Sequence, residues 1–140
     1  MSLIQRKEKI LQELSKITVS DDRYKYIIAK GRNLPELTTE QKDDKFLVEG
    51  CISRAWLIPR LEGDRVFFSA HSESAIVKGI IAILLEVYND ATPDEILGLS
   101  PEFLRAGGIV EHLSMNRRNG LANISRQIQL YAVAYKSLLK

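Results

Sequence analysis

Near the amino terminus, Leu3, Ile4, Ile10, Leu11, Leu14 and Ile17 recur at helical spacing among Lys and Glu, which predicts an amphipathic helix ending near Ser15 to Thr18. A second helix is expected from Ser20 as N-cap, with Val19 and Tyr24 as a hydrophobic staple and Asp21 and Asp22 at the positive helix end. Gly31 is read as its C-terminus, and Leu34-Pro35 opens a loop whose most polar part is Thr38 to Lys45. The period then shortens. Ala55 to Ile58 and Val66 to Phe68 are branched or aromatic runs separated by Glu62-Gly63-Asp64, the pattern of a hairpin. Pro59 lacks a backbone donor and marks an edge strand or a bulge.

From Ser72 or Ser74 onward, Ala75 to Leu85 is apolar nearly all round, as a buried helix requires. Lys78 and Gly79 interrupt it, and close approach of the hairpin is the expected reason for the glycine. Asn89-Asp90 stops this helix, Thr92-Pro93-Asp94-Glu95 supplies a capping box for a short one, and Ser100-Pro101-Glu102 restarts the chain. The last helix carries Leu121, Ile124, Ile128, Tyr131, Tyr135 and Leu138 along one seam. The expected fold is α+β, a small antiparallel sheet of about three strands packed against several helices.

Composition narrows the function classes. With 140 residues, 45% hydrophobic and 27% charged, residues 1–140 are expected to form one domain. The longest apolar run, Ile80 to Leu85, is far short of the roughly 20 residues of a membrane span. The start of the chain runs into charge at Arg6, Lys7, Glu8 and Lys9, unlike a secretory signal, so a cytoplasmic address and no membrane partner are expected. A net charge of +2 gives no strong basic field, which argues against a nucleic-acid partner. The single cysteine, Cys51, excludes an intrachain disulfide and any multi-thiolate metal site within one chain.

Cys51 follows Gly50 where the polar loop meets the first strand. Four chemistries suit a thiol there. It can be a small buried apolar residue. It can be a hydrolase nucleophile, if His71 or His112 comes within hydrogen-bond reach. It can join both histidines and a carboxylate around a metal, although no close-spaced ligand pair exists. It can also exchange sulfur with another protein's persulfide, which needs one accessible nucleophile and no local cofactor.

Four blocks decide among these by resemblance: Tyr26-Ile27-Ile28 with Gly31 and Leu34-Pro35-Glu36-Leu37; Gly50-Cys51 with Ser53 and Trp56; Ser74 to Gly79; and His112-Leu113 with Arg117 and Gly120-Leu121. In order and spacing the chain resembles the SufE family over nearly its whole length. The resemblance implies a SufE/NifU (IscU)-like fold and a persulfide on Cys51, taken from a pyridoxal-phosphate cysteine desulfurase of the SufS or CsdA kind. It implies stimulation of that enzyme, with sulfur passing to an iron-sulfur scaffold. The chain itself would bind no cofactor and no metal, the pyridoxal phosphate being the partner's. A monomer or weak homodimer is expected.

Gly50, Ile52, Arg54, Glu73 and Arg117 are the expected partner-binding positions. Ile52 and Arg54 replace glutamines common in the family, and Met115 replaces a proline. Arg54 can stabilise a thiolate while Glu49 opposes it, or Arg54 can simply be solvated. Glu73 also reads as a helix-end residue. Arg117 and Arg118 lie near a helix start, where positive charge opposes the macrodipole; they are either solvated or matched to an acidic patch on the desulfurase. The alternative function is a noncatalytic regulatory protein that acts through the last helix and this arginine pair, with Cys51 structural.

Overall fold

The computed structural model describes residues 1–50 and 53–139, with His112 described by its backbone alone. In chain order the elements are α1 (Leu3–Ser15), α2 (Ser20–Arg32), β1 (Ala55–Glu62), β2 (Arg65–Ser72), α3 (Ala75–Tyr88), α4 (Pro93–Leu97), α5 (Phe103–Ala106) and α6 (Met115–Leu138). Single 3₁₀ turns occur at Asp44–Phe46 and Val110–His112. The architecture is α+β. Every α-helix and both strands contribute to one buried apolar cluster centred on α3, where Ile80, Ile81, Ile83, Leu84 and Val87 are fully enclosed.

The sheet has two paired strands among the described residues, rather than about three. β1 and β2 run antiparallel in unbroken register from Ala55 opposite Ser72 to Glu62 opposite Arg65, so Pro59 introduces no bulge. Gly63, at φ +62°, takes the first place of the two-residue turn, as a type II′ hairpin requires. Each outer edge is covered by a short segment too brief to count as a strand. Leu47 bridges to Trp56 beside β1, and Ala91 bridges to Val66 beside β2. Asn89 extends the second edge: its carboxamide accepts from Phe68 N–H at 2.7 Å and donates to Phe68 C=O at 3.4 Å. Backbone groups that would otherwise template another strand are thereby occupied.

The caps of α3 and α4 form as their sequences predict. Ser74 Oγ accepts from Val77 N–H, and Thr92 and Glu95 make a reciprocal capping box. α2 differs. Its cap position is Val19, with no side-chain bond, and Val19 and Tyr24 remain exposed, so no buried staple forms. The backbone carbonyl of Val19 accepts from the N–H groups of Asp22 and Arg23, while the Arg23 side chain serves the end of α1 and the α5 region, donating to the carbonyls of Leu14, Ile17 and Gly107 at 2.7–3.2 Å. Gly31 falls in the last turn of α2, as its penultimate residue, and Asn33 is the C-cap. At the far end of the chain Leu138 is 73% exposed, because the buried seam of α6 ends with Ala132 and the half-buried Tyr131 and Tyr135.

The reason for Gly31 is the crossing of α2 and α3. A Cβ on Gly31 would stand 2.8 Å from the backbone nitrogen of Gly79, and one on Gly79 would run into the carbonyl group of Ile27. The element that approaches Gly79 is therefore α2, not the hairpin. Replacing Gly79 by alanine adds helix propensity worth about 1 kcal/mol, yet forces two backbones apart. The expected result of Gly79→Ala in urea denaturation is a net loss of about 3 kcal/mol; a gain in stability would show that the crossing tolerates a methyl group.

Candidate functional site

Cys51 and Ile52 lie outside the described residues, but the chain on either side of them is fixed. Val48 N–H donates to Ala55 C=O at 2.9 Å, closing an excursion made of residues 49–54. On the strand side, Glu73 N–H donates to Arg54 C=O at 3.0 Å, and the Glu73 carboxylate accepts from Arg54 N–H at 3.1 Å. Two of the expected partner-binding residues, Arg54 and Glu73, are therefore brought together at the open end of the hairpin, immediately before the Ser74 cap of α3. Both are exposed.

On the other side Gly50 adopts φ +83°, the left-handed region that favours glycine. It also abuts α6. A Cβ there would collide with Nδ2 of Asn123 and stand 3.2 Å from its Cγ. Asn123 is a residue the sequence pattern does not single out, since with Asn116 and Asn119 it reads as an ordinary polar position of a long helix.

The Arg54 side chain is not simply solvated. Its guanidinium lies 5.0 Å from the centre of the Trp56 ring and 3.6 Å from Asp44, though about half of the side chain is exposed and the ion pair is correspondingly weak. Trp56 points to the hairpin face opposite the main core, yet is only 4% exposed. It is enclosed by Arg54, by His71 across the strand pair with ring centres 5.9 Å apart, and by the segment bridged through Leu47. Its indole N–H has no hydrogen-bond partner among the described residues; a buried donor left unpaired costs on the order of 1–3 kcal/mol.

Arg117 and Arg118 have different surroundings. Arg117 is exposed on the first turn of α6. Arg118 instead folds back to donate to the carbonyls of Val110, Leu113 and Glu111 at 3.1–3.2 Å, tying the 3₁₀ turn to the helix. The side chain of His112 lies outside the described residues. Among the described residues, no group of three or more His, Cys, Asp or Glu could hold a metal ion. No helix is long and apolar enough to cross a membrane. A groove of about 610 Å³ lies between the α5 region and α6, lined by residues such as Leu104, Arg105, Leu121 and Ser125, and is not lined by Gly50, Arg54, Glu73 or Arg117.

Together, these features describe an α+β domain that presents a short, tied excursion at the junction of a hairpin and two helices. The family model of the SufE Fe-S metabolism associated domain matches residues 8–132, and the chain belongs to the SufE family. An uncharacterized SufE-like protein of Synechocystis is 32% identical over 128 residues, spanning 91% of this chain and 80% of its own. Another, from Rhizobium meliloti, is 32% identical over 127 residues, spanning 87% and 91% respectively. The fold is shared with a solution structure of a hypothetical protein from Thermus thermophilus, at TM-score 0.79 and 18% identity, covering 94% of this chain and 96% of that one. The family places the protein in iron-sulfur metabolism.

His71 gives the hairpin base a pH dependence. Burial, reinforced by Lys42 and Lys78 and opposed by Glu36 and Glu73, holds its imidazole below the usual range. The folded protein then binds fewer protons at this site than the unfolded chain, so the stability due to His71 is complete above the unfolded value of about 6.5 and is lost as pH falls from there through the lower folded value. Urea midpoints at neutral and mildly acidic pH should converge less steeply toward instability in His71→Gln than in the wild type. Equal slopes would assign the acid sensitivity elsewhere.

Proposed function

We propose that the protein accepts sulfur as a persulfide on Cys51 from a SufS- or CsdA-like, pyridoxal-phosphate-dependent cysteine desulfurase and passes it toward an iron-sulfur scaffold. The observation that carries this reading is the coincidence of the chain's single thiol with the family-matched excursion between Val48 and Ala55, tied at both ends. The transfer is an exchange without net redox change. The Cys51 thiolate attacks the outer sulfur of the partner's persulfide. A new sulfur-sulfur bond forms on Cys51, the old one breaks, and the partner's cysteine leaves as a thiolate that takes up the proton Cys51 released. Removing that persulfide frees the desulfurase for another turnover, which is the basis of stimulation.

One thiolate is enough for this role, whereas assembly of a cluster on a single protomer would require several ligands. Arg54, Glu73 and Arg117 are exposed and available to meet the partner, and Gly50 and Ile52 flank the acceptor in sequence. The regulatory alternative relies on an arginine pair at the start of α6, and that pair is divided because Arg118 is committed to backbone carbonyls within the fold.

Incubation with desulfurase and cysteine, followed by mass spectrometry of the intact protein, should show a reductant-sensitive gain of one sulfur atom mapped to Cys51. Cys51→Ser should retain the wild-type thermal melt and gain no sulfur. Sulfur on the variant, or none on the wild type, would overturn the assignment.

A further inference from the structure

We infer that Asn123 is a positioning residue for sulfur acceptance: its carboxamide, carried on α6 against the side-chain-free Gly50, sets where the chain delivers Cys51. The inference rests on the persulfide reading above and adds a residue to it. Two separate constraints meet at Gly50. Its φ of +83° disfavours any side chain, and the space a Cβ would occupy is already filled by the Asn123 carboxamide. The helix backbone that carries this carboxamide is well anchored, because Leu121 and Ile124 are buried in the core and Ile128 is fully enclosed one turn further on. The Asn123 side chain thus stands against Gly50, the residue before Cys51, while Glu73 is bonded to the backbone of Arg54 on the other side. Asn123 is itself only half-buried, so its chemistry can be changed with little disturbance of the core.

A carboxamide and a carboxylate have nearly the same shape, which separates positioning and local electrostatics from bulk packing. Asn123→Asp places a negative charge beside the residue preceding the thiol. The pH profile of Cys51 alkylation by iodoacetamide in the free protein should then move upward by on the order of half a pH unit, with the thermal melt close to wild type. Asn123→Ala removes the carboxamide without adding charge. It should slow single-turnover sulfur acceptance from a persulfidated desulfurase by about tenfold, with no upward movement of the alkylation profile. In a Gly50→Ala background the same Asn123→Ala change should partly restore the rate, because it makes room for the new methyl group.

An Asn123→Asp alkylation profile that coincides with the wild type, or losses in Gly50→Ala and Asn123→Ala that simply multiply, would overturn the inference. The alkylation profiles need no desulfurase, so they judge Asn123 even if Cys51 proves to accept no sulfur. Conversely, uptake of sulfur by the wild type together with an unmoved profile would remove Asn123 alone and leave the carrier reading intact.

Discussion

The contact between the backbones of α2 and α3 at Gly31 and Gly79 fixes the rest of the molecule. Without side chains at these two positions, the helices approach until the carbonyl group of Ile27 lies against Gly79, and α3 becomes the enclosed axis of the core. Interiors are packed as densely as organic crystals, so an axis held this closely has little freedom to slide. Its N-terminus is therefore a fixed point. Ser74 caps that end, and Glu73, one residue earlier, is bonded to the backbone of Arg54. The position of the hairpin's open end thus follows from a glycine crossing within the same helix that begins beside it.

The far end of α3 is fixed independently. Arg6, reaching from α1, donates to the carbonyls of Val87 and Asp90 at 3.0 and 3.1 Å, satisfying acceptors that a helix terminus leaves open. Asn89 pairs with both backbone groups of Phe68, and Asp90 N–H donates to Val66 C=O, so the same terminus holds β2. The hairpin is thereby held at both ends by one helix. Marginal stability is the usual fate of an isolated two-stranded hairpin; here its inner face rests on α3 and its outer edges are bridged at Leu47 and Ala91.

Sequence periodicity reveals those elements whose physics is local. The capping box at Thr92 and Glu95, the serine cap of α3, the glycine turn at Gly63 and the all-round apolar character of Ala75 to Leu85 each depend on residues within one or two turns, and each is where the pattern predicts it. Misreadings arise locally at the Ser20 cap and the Val19–Tyr24 staple of α2, and otherwise in contacts between distant segments. Gly31 falls in the last turn of α2, where the pattern puts a helix end, but its close approach to Gly79 is visible only in the fold. The third strand is replaced by two bridges because the edge partners are loop segments, at Leu47 and Ala91, too short to carry a strand's alternation. Around the candidate site, Gly50, Arg54 and Glu73 are legible, whereas the place of Asn123, the burial of the Trp56 indole and the capping role of Arg118 are products of tertiary packing. The four blocks that resemble the SufE family do meet in pairs: the first and third through Gly31 and Gly79, the second with the helix of the fourth through Gly50 and Asn123.

The charges near the excursion bear on how a carrier of this kind would meet its partner. Arg54, Lys42 and Lys78 are interspersed with Asp44, Glu36, Glu49 and Glu73, and the chain as a whole has a net charge of only +2. Such mixed, largely exposed charges produce a weak field that salt screens over about 8 Å. Long-range steering is consequently small, and recognition must depend on short-range fit, where fixed geometry matters more than net charge. An excursion tied to the hairpin base on one side and abutting α6 on the other supplies that geometry. On the proposed reading, the thiol would need only to be placed within reach of a partner's sulfur, since the chemistry of generating that sulfur would belong to the partner and the exchange itself involves no net redox change.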